Sequence, residues 1–440
     1  MSLLSRTGYV VESSVETKRD LTVRAIENAL GLRPPAFKVF KETSKGRLVV
    51  PRFYGEQTFG PASRDARPDP VAVTIPFTGV LRDHQIDALS KYTGSGVLSL
   101  DTGLGKTVCA LAIAARMGVR TLIIVHKEFL AHQWIERIHQ FCPGCSVGRV
   151  QQEKCELDHP FVIAMIQTLC MRAHDPSTFV SVGLVIVDEA HHVGAPAFSQ
   201  AMFTMCPRYT LGLTATPDRK DGLTRLLYWF LGPCFFAKYR THSTNVRVHT
   251  IRHMDPEYMK PPPVSRLGKV CLATMINSMV VCPQRNDRLL DIIREAMTCH
   301  SHVLVLSDRR SHCEWIVHQL GSCAGLYMGG MKQEELDASA QKHVVVGTFS
   351  LAHEGLDIAT LSALVFATPH SDVRQAVGRI LRAPGPKDVY DIVDTWGVMN
   401  AMYRRRLNIY RAAGFQTEPT HDEETTASEF QKGKCLIQVE

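Results

Sequence analysis

Short apolar runs alternate with helical stretches from about residue 80 onward. In the first half of the chain these runs read "GVLSL", "TLIIVH", "FVIAMI", "LVIVDEA" and "YTLGLTAT". Continuous runs of this length are typical of parallel strands that are buried on both faces of a sheet. The alternation therefore predicts a doubly wound α/β domain that ends near residue 235.

A second α/β series follows a mixed segment, with strands predicted at "HVLVLSD", "HVVVGTF", "ALVFATP" and "DVYDIVD". The first 75 residues differ: we predict a helix at "TVRAIENALGL" and strands at "AFKVFKE" and "RLVVPRFYG". Their net charge is positive, which is compatible with a grip on duplex DNA and equally with an ordinary solvated surface. The predicted organisation is a small α+β N-terminal domain at 1–75, α/β domains at 76–235 and 283–415, a linker at 236–282 and a flexible acidic tail at 416–440.

Composition narrows the function only slightly. The 440 residues carry a formal net charge of +7, which permits a nucleic-acid partner but does not demand one. No apolar run approaches the ~20 residues that a membrane helix needs, so no membrane partner is expected. The amino terminus has no export signal and the 13 cysteines are scattered. Free thiols in a reducing intracellular compartment are the simplest interpretation.

One cysteine cluster allows a second interpretation. Cys142, Cys145, Cys155 and His159 combine a CxxC pair with a later Cys and His, which could form a zinc site. The spacing is lopsided, whereas CxxC-type zinc sites usually come in two regular halves. Incidental thiols are the favoured interpretation, and zinc stays the alternative.

The stretch "GVLSLDTGLGKTVCALAIAARMG" reads as a strand, a turn and a helix, which is the context of a phosphate-binding loop. Backbone N–H groups at the helix start would hold the β-phosphate. Lys106 would reach the β- and γ-phosphates, and the Thr107 hydroxyl would bind Mg²⁺. Leu100 replaces the first glycine of the usual pattern, so the loop alone leaves the assignment open.

The stretch "LVIVDEAHH" strengthens that assignment. Asp188 and Glu189 follow a buried strand at its carboxyl end, where ligands bind in open α/β sheets. Asp188 could hold Mg²⁺ through water, and Glu189 could orient and deprotonate an attacking water. The alternative is an ordinary acidic helix start.

The third stretch, "DVRQAVGRILRAPG", places Gln375, Arg379 and Arg382 on one helix face. A solvated basic stripe is the simplest explanation for two such arginines. They follow the second α/β series, however, and hydrolysis of a γ-phosphate is helped by an arginine finger. A finger from the second domain would make hydrolysis depend on closure of a cleft.

The order of these pieces resembles that of the superfamily 2 helicases over roughly residues 80–412. The stretches that carry the resemblance are "LRDHQ", "DTGLGKT", "TLIIVHKEFLAHQW", "DEAH", "TAT", "VLVLSDRR", "GTFSLAHEGLDIA" and "QAVGRILR". The stretches "LGLTATPDRKDGL" and "PQRNDRLLDII" are similar to the branch of the repair and transcription helicase XPB and the phage helicase UvsW. The second half is most similar to helicases of large DNA viruses, such as the poxvirus transcript-release helicase.

The resemblance implies two tandem RecA-like domains, with ATP and Mg²⁺ bound between them. It implies that ATP is bound by Gln85, Thr102, Gly103, Leu104, Gly105, Lys106, Thr107, Gly355 and Asp357. It assigns the metal to Thr107 and Asp188, catalysis to Lys106, Asp188, Glu189, Gln375, Arg379 and Arg382, and coupling to His191, Thr214 and Thr216. Contacts to nucleic acid would come from His126, Lys127, Thr168, Ser307, Arg309 and Thr348.

The favoured hypothesis is an ATP-driven motor that unwinds or remodels DNA, single-stranded or duplex, with 3′ to 5′ tracking as the branch implies. A second hypothesis is an RNA–DNA remodeller that releases transcripts, because phosphate contacts hardly distinguish the two polymers. A third is a non-hydrolysing scaffold, against which Lys106, Glu189 and Arg379 argue. We expect a monomer that works with transcription or replication machinery, in the nucleus or cytoplasm of a host cell if the chain is viral.

Overall fold

The protein is described here by a computed structural model. It describes residues 2–26, 34–172, 174–175, 177–215, 217, 219, 221–239, 245–255, 261–264, 270–350, 358–381 and 385–417. The chain divides into two compact units, Met1–Tyr239 and Arg240–Glu440. No helix within the described ranges is long and apolar enough to cross a membrane.

A small, mostly antiparallel sheet opens the first unit. Its strands, with the short pair β3 and β4, are β1 (Leu3–Ser5), β2 (Gly8–Glu12), β3 (Thr22–Val23), β4 (Phe37–Lys38), β5 (Lys41–Glu42), β6 (Arg47–Val50) and β7 (Arg64–Asp65). The five-stranded sheet has the order β5-β6-β2-β1-β7. Two helices accompany it, α1 (Val15–Asp20) and α2 (Arg52–Phe59).

Two local predictions for this region were wrong. "RLVVPRFYG" is not one strand: β6 ends at Val50 and α2 begins at Arg52. Pro51 explains the break, because proline has no N–H for a strand ladder and suits the start of a helix. The helix predicted at "TVRAIENALGL" begins instead with strand β3, and residues 27–32 of that stretch lie outside the described residues.

The central sheet of the first unit has eight strands in the order β11-β10-β12-β9-β13-β14-β8-β15. They are β8 (Ser95–Leu100), β9 (Thr121–Val125), β10 (Val147–Gln151), β11 (Lys154–Cys155), β12 (Phe161–Met165), β13 (Leu184–Val187), β14 (Tyr209–Thr214) and β15 (Cys234–Lys238). All neighbours run parallel except β10 and β11. The helices are α3 (Asp83–Lys91), α4 (Lys106–Met117), α5 (Glu128–Phe141), α6 (Ile166–Met171), α7 (Pro196–Ala201) and α8 (Thr224–Leu231), with 3-10 turns at Ala190–Gly194 and Met202–Thr204.

The small sheet and one face of the central sheet share a single hydrophobic core. Tyr9 and Val50 of the small sheet are fully buried in the same cluster as Val97 and Val185 of the central sheet. The rings of Tyr54 and Trp229 meet edge to face, with centroids 4.9 Å apart. The N-terminal segment is therefore packed into the first unit rather than tethered to it.

The second unit contains a seven-stranded parallel sheet of order β18-β19-β17-β20-β21-β16-β22. Its strands are β16 (Val246–His253), β17 (Val303–Ser307), β18 (Ala324–Tyr327), β19 (Val344–Thr348), β20 (Ala363–Phe366), β21 (Lys387–Asp394) and β22 (Gln416–Thr417). Its helices are α9 (Leu272–Val280), α10 (Pro283–Cys299), α11 (Arg310–Leu320), α12 (Gln333–Ala340), Arg374–Ile380 and Val398–Ala412, with a 3-10 turn at Gly321–Cys323. The range expected as a linker, 236–282, thus contributes β16 to this sheet. Of the expected tail, residues 418–440 lie outside the described residues.

Strand β21 carries buried aspartates that are each matched by cations or imidazoles. Arg285 donates hydrogen bonds from Nε and Nη2 to the two carboxylate oxygens of Asp394, at 2.7 and 3.0 Å. Both side chains are 0% exposed. On the other face of the strand, Arg406 donates to both oxygens of Asp391 at 2.8 Å. These pairs tie helices α10 and Val398–Ala412 to the middle of the sheet.

Candidate functional site

The loop after β8 has the geometry of a phosphate-binding loop. Gly103 and Gly105 both have φ of 81°, a left-handed conformation that favours glycine. Helix α4 begins directly after Gly105, and its first N–H groups have no partner inside the helix. Lys106 folds back so that its Nζ donates to the carbonyl of Leu100 at 2.9 Å. The loop therefore joins a helix N-terminus to a lysine, the combination that favours a phosphate.

Gln85 contacts this loop directly. Its Oε1 accepts from the Arg82 N–H at 2.8 Å, and its Nε2 donates to the Gly105 carbonyl at 3.1 Å. A Cβ on Gly105 would lie 2.3 Å from that Nε2, so only glycine fits there. His84, which the sequence reading missed, also contacts the loop, with Nε2 2.9 Å from the Leu104 carbonyl oxygen. Helix α3 thus supports the loop from behind through two adjacent residues.

Asp188 and Glu189 follow the buried strand β13 directly. Asp188 accepts two hydrogen bonds at 2.9 Å, from the Trp134 indole N–H and from the Glu189 backbone N–H. Glu189 has φ of 45°, a strained value for a residue with a side chain. Its Oε2 is buried and has no hydrogen-bond partner among the described residues, although His191 Nδ1 lies 3.4 Å away. The two carboxylates are therefore held in a fixed, costly arrangement.

The positive charge of Lys106 acts on the Asp188 carboxylate. Burial and the neighbouring Glu189 raise the pKa of Asp188, while Lys106 and the Trp134 hydrogen bond oppose that rise. β8 and β13 flank β14 in the parallel sheet, so their carboxyl ends meet at one edge. The residues fit a divalent cation, because two adjacent carboxylates, one of them the buried Asp188 with its raised pKa, call for positive charge. The Thr107 hydroxyl and the carboxylates are hard oxygen donors of the kind Mg²⁺ prefers.

Three histidines lie beside the carboxylates. The His126 and His192 rings are 4.5 Å apart and the His191 and His192 rings 4.3 Å apart. Burial, reinforced by Arg219, lowers the pKa of His191 to about 4, and burial with His191 lowers that of His192 to about 3. Both are neutral near pH 7. His191 Nδ1 also lies 3.4 Å from Thr214 Oγ1, which joins the ends of β13 and β14.

Arg219 is a site residue that the sequence reading missed. Its Nη1 donates to the His191 carbonyl oxygen, and its guanidinium pairs with both oxygens of Asp221. A Cβ on Gly194 would lie 2.7 Å from Arg219 Nε, so this glycine makes room for the guanidinium. Arg219 belongs to the polar stretch "PDRKDG". No pattern in such a loop separates an arginine that contacts a site from one that is simply solvated.

The nucleic-acid candidates of the first unit are only partly exposed. Thr168 is 9% exposed, and its hydroxyl accepts from the Gln152 N–H at 3.1 Å. Lys127 immediately precedes α5, and burial lowers its pKa. Burial also lowers the pKa of His126. The hydroxyl of Thr168 is thus used inside the protein, whereas Lys127 stays partly accessible.

In the second unit, Ser307 is fully buried and its Oγ lies 3.0 Å from His312 Nδ1. The Arg309 guanidinium donates to Asn277 Oδ1 and to the carbonyl of Ala273, both on α9, at 2.7 and 3.0 Å. Thr348 Oγ1 and Ser350 Oγ are 3.0 Å apart at the end of β19. Among these three, the Ser307 hydroxyl is committed to the fold.

Gln375 and Arg379 lie on the helix Arg374–Ile380, where Arg379 is 8% exposed. Several predicted residues lie outside the described residues, namely Thr216, Gly355, Asp357 and Arg382. The groups of possible metal ligands found among the described residues do not include Cys142, Cys145, Cys155 or His159. Cys142 and Cys145 are buried, while His159 Nδ1 contacts Ser146 Oγ at 2.9 Å.

The chain is similar to several known proteins. The family described as Type III restriction enzyme, res subunit, matches residues 78–219, which span the loop and both carboxylates. Protein L396 of Acanthamoeba polyphaga mimivirus, provisionally named an ATP-dependent RNA helicase, is 30% identical over 92% of this chain and 83% of its own length. Helicase D10 of Escherichia phage T5, also a provisional name, is 26% identical over 79% of this chain and 78% of its own. The crystal structure of T4 UvsW aligns with 95% of this chain and 99% of its own at 15% identity and a TM-score of 0.40.

A parallel sheet whose strand ends carry a phosphate-binding loop and a pair of carboxylates defines a nucleoside triphosphatase of RecA-like architecture. Together with the similarity to protein L396, it shows that the chain belongs to the superfamily 2 helicases, alongside helicases of large DNA viruses. The protein is an ATP-dependent helicase.

Proposed function

We propose that the chain hydrolyses ATP at the end of the central sheet and uses the energy to unwind or remodel DNA. The observation that carries this proposal is that the Lys106 loop follows β8 while Asp188 and Glu189 follow β13, two strands that flank β14 and end at the same edge of the sheet. A loop lysine and a strand-end carboxylate in one place provide both charges that a nucleotide with its cation needs.

In this proposal the backbone of 102–105 and Lys106 hold the phosphates, and Gln85 with His84 keeps the loop in position. Thr107 and Asp188 would hold Mg²⁺, which when bound neutralises phosphate charge. Glu189 orients the attacking water and accepts its proton, because its buried Oε2 has no competing donor among the described residues. Gly355 and Asp357 are proposed to contribute to ATP binding from the second unit.

Arg379 and Arg382 are proposed as the cations that stabilise the transferring phosphoryl group, with Gln375 beside them. Thr214, Thr216 and His191 are proposed to couple hydrolysis to movement, a role supported by the contact between His191 and Thr214. We propose that residues 1–75 bind duplex DNA. Residues 76–235 and 283–415 are proposed as the two RecA-like domains of the motor.

We propose that the nucleic acid is contacted by His126, Lys127, Thr168, Ser307, Arg309 and Thr348. Thr168 and Ser307 would act through backbone position, since their hydroxyls are bonded within the protein. DNA with 3′ to 5′ movement is the first candidate. Release of transcripts by RNA–DNA remodelling is the second, which the RNA-helicase name of protein L396 favours. The twelve free cysteines among the described residues support work in a reducing compartment.

The decisive experiment measures ATP turnover of the full chain with single-stranded DNA, duplex DNA, RNA and RNA–DNA hybrid at one stated salt concentration. Lys106→Ala gives the background. We expect DNA to raise turnover above the level of the free protein. Stimulation by RNA or hybrid alone would favour transcript release instead, and a rate unchanged by every polymer would contradict a nucleic-acid motor. Displacement of strands with 3′ or 5′ overhangs then reports polarity.

A further inference from the structure

Three side chains of different metal-binding chemistry gather in the second unit, away from the phosphate-binding loop. They are His253, Asp255 and Cys282, and their ligand atoms all lie within 4.8 Å of one another. The Cys282 thiol donates a hydrogen bond to Asp255 Oδ2 at 3.0 Å. All three are partly buried. An imidazole, a carboxylate and a thiol therefore face a common point.

The backbone that carries two of these side chains is firmly held. His253 is the last residue of β16 and pairs in register with Asp394 of β21. Cys282 immediately precedes α10, whose Arg285 grips the same Asp394 in a fully buried ion pair. The strand end and the helix start are thus fixed to one aspartate. A site built on such rigid elements loses little freedom when it binds an ion.

The donor set selects the ion. Thiolate and imidazole favour zinc over magnesium or calcium, which prefer oxygen alone. Zinc bonds of about 2.0–2.3 Å place tetrahedral ligands roughly 3.3–3.8 Å apart. Small side-chain rotations would bring the present spacing to that value. Three protein ligands leave the fourth position to water.

We propose that His253, Asp255 and Cys282 bind a Zn²⁺ ion that fastens the end of β16 to the start of α10. Binding replaces the thiol proton: the Cys282 S–H bond is broken, sulfur keeps the electron pair and donates it to zinc, and the proton goes to the solvent. Asp255 exchanges its hydrogen bond for a metal bond. The affinity therefore falls as the pH is lowered.

The test uses the nucleotide-free full chain and Co²⁺ as a spectroscopic substitute for Zn²⁺. We expect about one Co²⁺ per chain, with thiolate-to-cobalt charge-transfer absorption, displaced by Zn²⁺. Mg²⁺ ligands at Thr107 and Asp188 contain no sulfur, so they cannot produce this absorption. Cys282→Ser should abolish the band and weaken Zn²⁺ binding by about 10- to 100-fold.

Cys299→Ser is the matched control, because Cys299 is an exposed thiol at the other end of the same helix. It should bind both ions as the native chain does. Asp255→Asn provides a second variant, with circular dichroism to confirm folding, and should weaken binding without removing the band. Absence of Zn²⁺ binding in the native chain, or a charge-transfer band that persists in Cys282→Ser, would overturn the proposal.

Discussion

Glu189 combines two costs that a purely structural residue would avoid. Its backbone is left-handed although it is not glycine, and one carboxylate oxygen is buried with no hydrogen bond among the described residues. Such strain costs on the order of 1–3 kcal/mol and persists only where surrounding structure enforces it. Here β13 and the Asp188 side chain fix the position, which leaves the carboxylate available for a water molecule.

We expect Glu189→Gln to lower ATP turnover by about 10²- to 10⁴-fold, because an amide cannot accept the proton of the attacking water. ATP binding should persist, since the loop and Lys106 are unchanged. Phosphate release and equilibrium binding of ATP measure the two effects separately. Glu136→Gln, an exposed position on α5, is the control and should match the native rate. Hydrolysis retained in Glu189→Gln would remove this residue from the base role.

At this scale the sequence predicted the residues inside motifs and missed those that support them. Trp134 lies 54 positions from Asp188 and meets it only because α5 packs on the sheet that contains β13. Arg219 and His84 were missed for the same reason. The resemblance also implied Thr168 and Ser307 as contacts to nucleic acid, but their burial could not be judged from their neighbours along the chain.

Among the elements, β21 shows how a strand can carry buried acids. "DVYDIVD" predicted a strand correctly, but the partners of its aspartates come from α10, β16 and the helix Val398–Ala412. Alternation along the strand sends Asp388 and Asp394 to one face and Asp391 to the other. The strand is thus stabilised by ion pairs on both faces. Pairing across such sequence distances has no local pattern, so it could not be predicted.

Asp388 makes the stability of the second unit sensitive to acid. Burial acts to raise its pKa, but hydrogen bonds with His249 and His300 and the charge of Arg247 lower it by more. The net pKa lies below the ordinary value. Its contribution to stability is therefore complete above about pH 4 and is lost as the pH falls through the lowered pKa.

We expect Asp388→Asn to reduce the free energy of unfolding by about 1–3 kcal/mol at pH 7, because two imidazoles lose an ionised partner. The difference from the native chain should shrink toward pH 3. Urea unfolding at the two pH values measures it. Asp291→Asn, at an exposed surface pair with Arg294, should change little at either pH. An equal loss at both pH values would mean that the charge of Asp388 is irrelevant.

Arg406 tests the other face of the strand. Arg406→Met would remove both guanidinium hydrogen bonds from the buried Asp391 carboxylate. The Tyr410 hydroxyl would still donate to its Oδ2 at 2.9 Å. We expect a loss of about 3–5 kcal/mol in the free energy of unfolding, the usual cost of an uncompensated buried charge. Denaturant unfolding measures the loss. Arg405→Met, the exposed neighbour, should be nearly neutral, and similar losses in both variants would contradict a specific pair.

For the whole molecule, the ATP chemistry is proposed to need both units. Lys106 and Glu189 belong to Met1–Tyr239, whereas Arg379 belongs to Arg240–Glu440. The alternation of apolar runs predicted both parallel sheets, because buried strands have a strong local signature. The packing of the N-terminal segment was not predictable, since apolar residues in short strands do not say which face they will cover.

We expect Arg379→Ala to lower nucleic-acid-stimulated ATP turnover by about 10³- to 10⁵-fold, the usual contribution of an arginine finger. Arg374→Ala on the same helix is the matched control, because Arg374 is exposed and pairs with Asp372. Stopped-flow phosphate release measures turnover, and circular dichroism checks folding. Native turnover in a folded Arg379→Ala variant would exclude this arginine from the reaction.

The core shared by the small sheet and the central sheet determines which fragments of the chain can fold. A fragment that starts at residue 76, as the texture of the sequence suggests, would leave Val97, Val185 and Trp229 without the side chains that cover them. Such a fragment should precipitate on expression. A fragment of residues 1–239 retains the whole core. A shortened protein should therefore end after Tyr239 rather than begin just before the phosphate-binding loop.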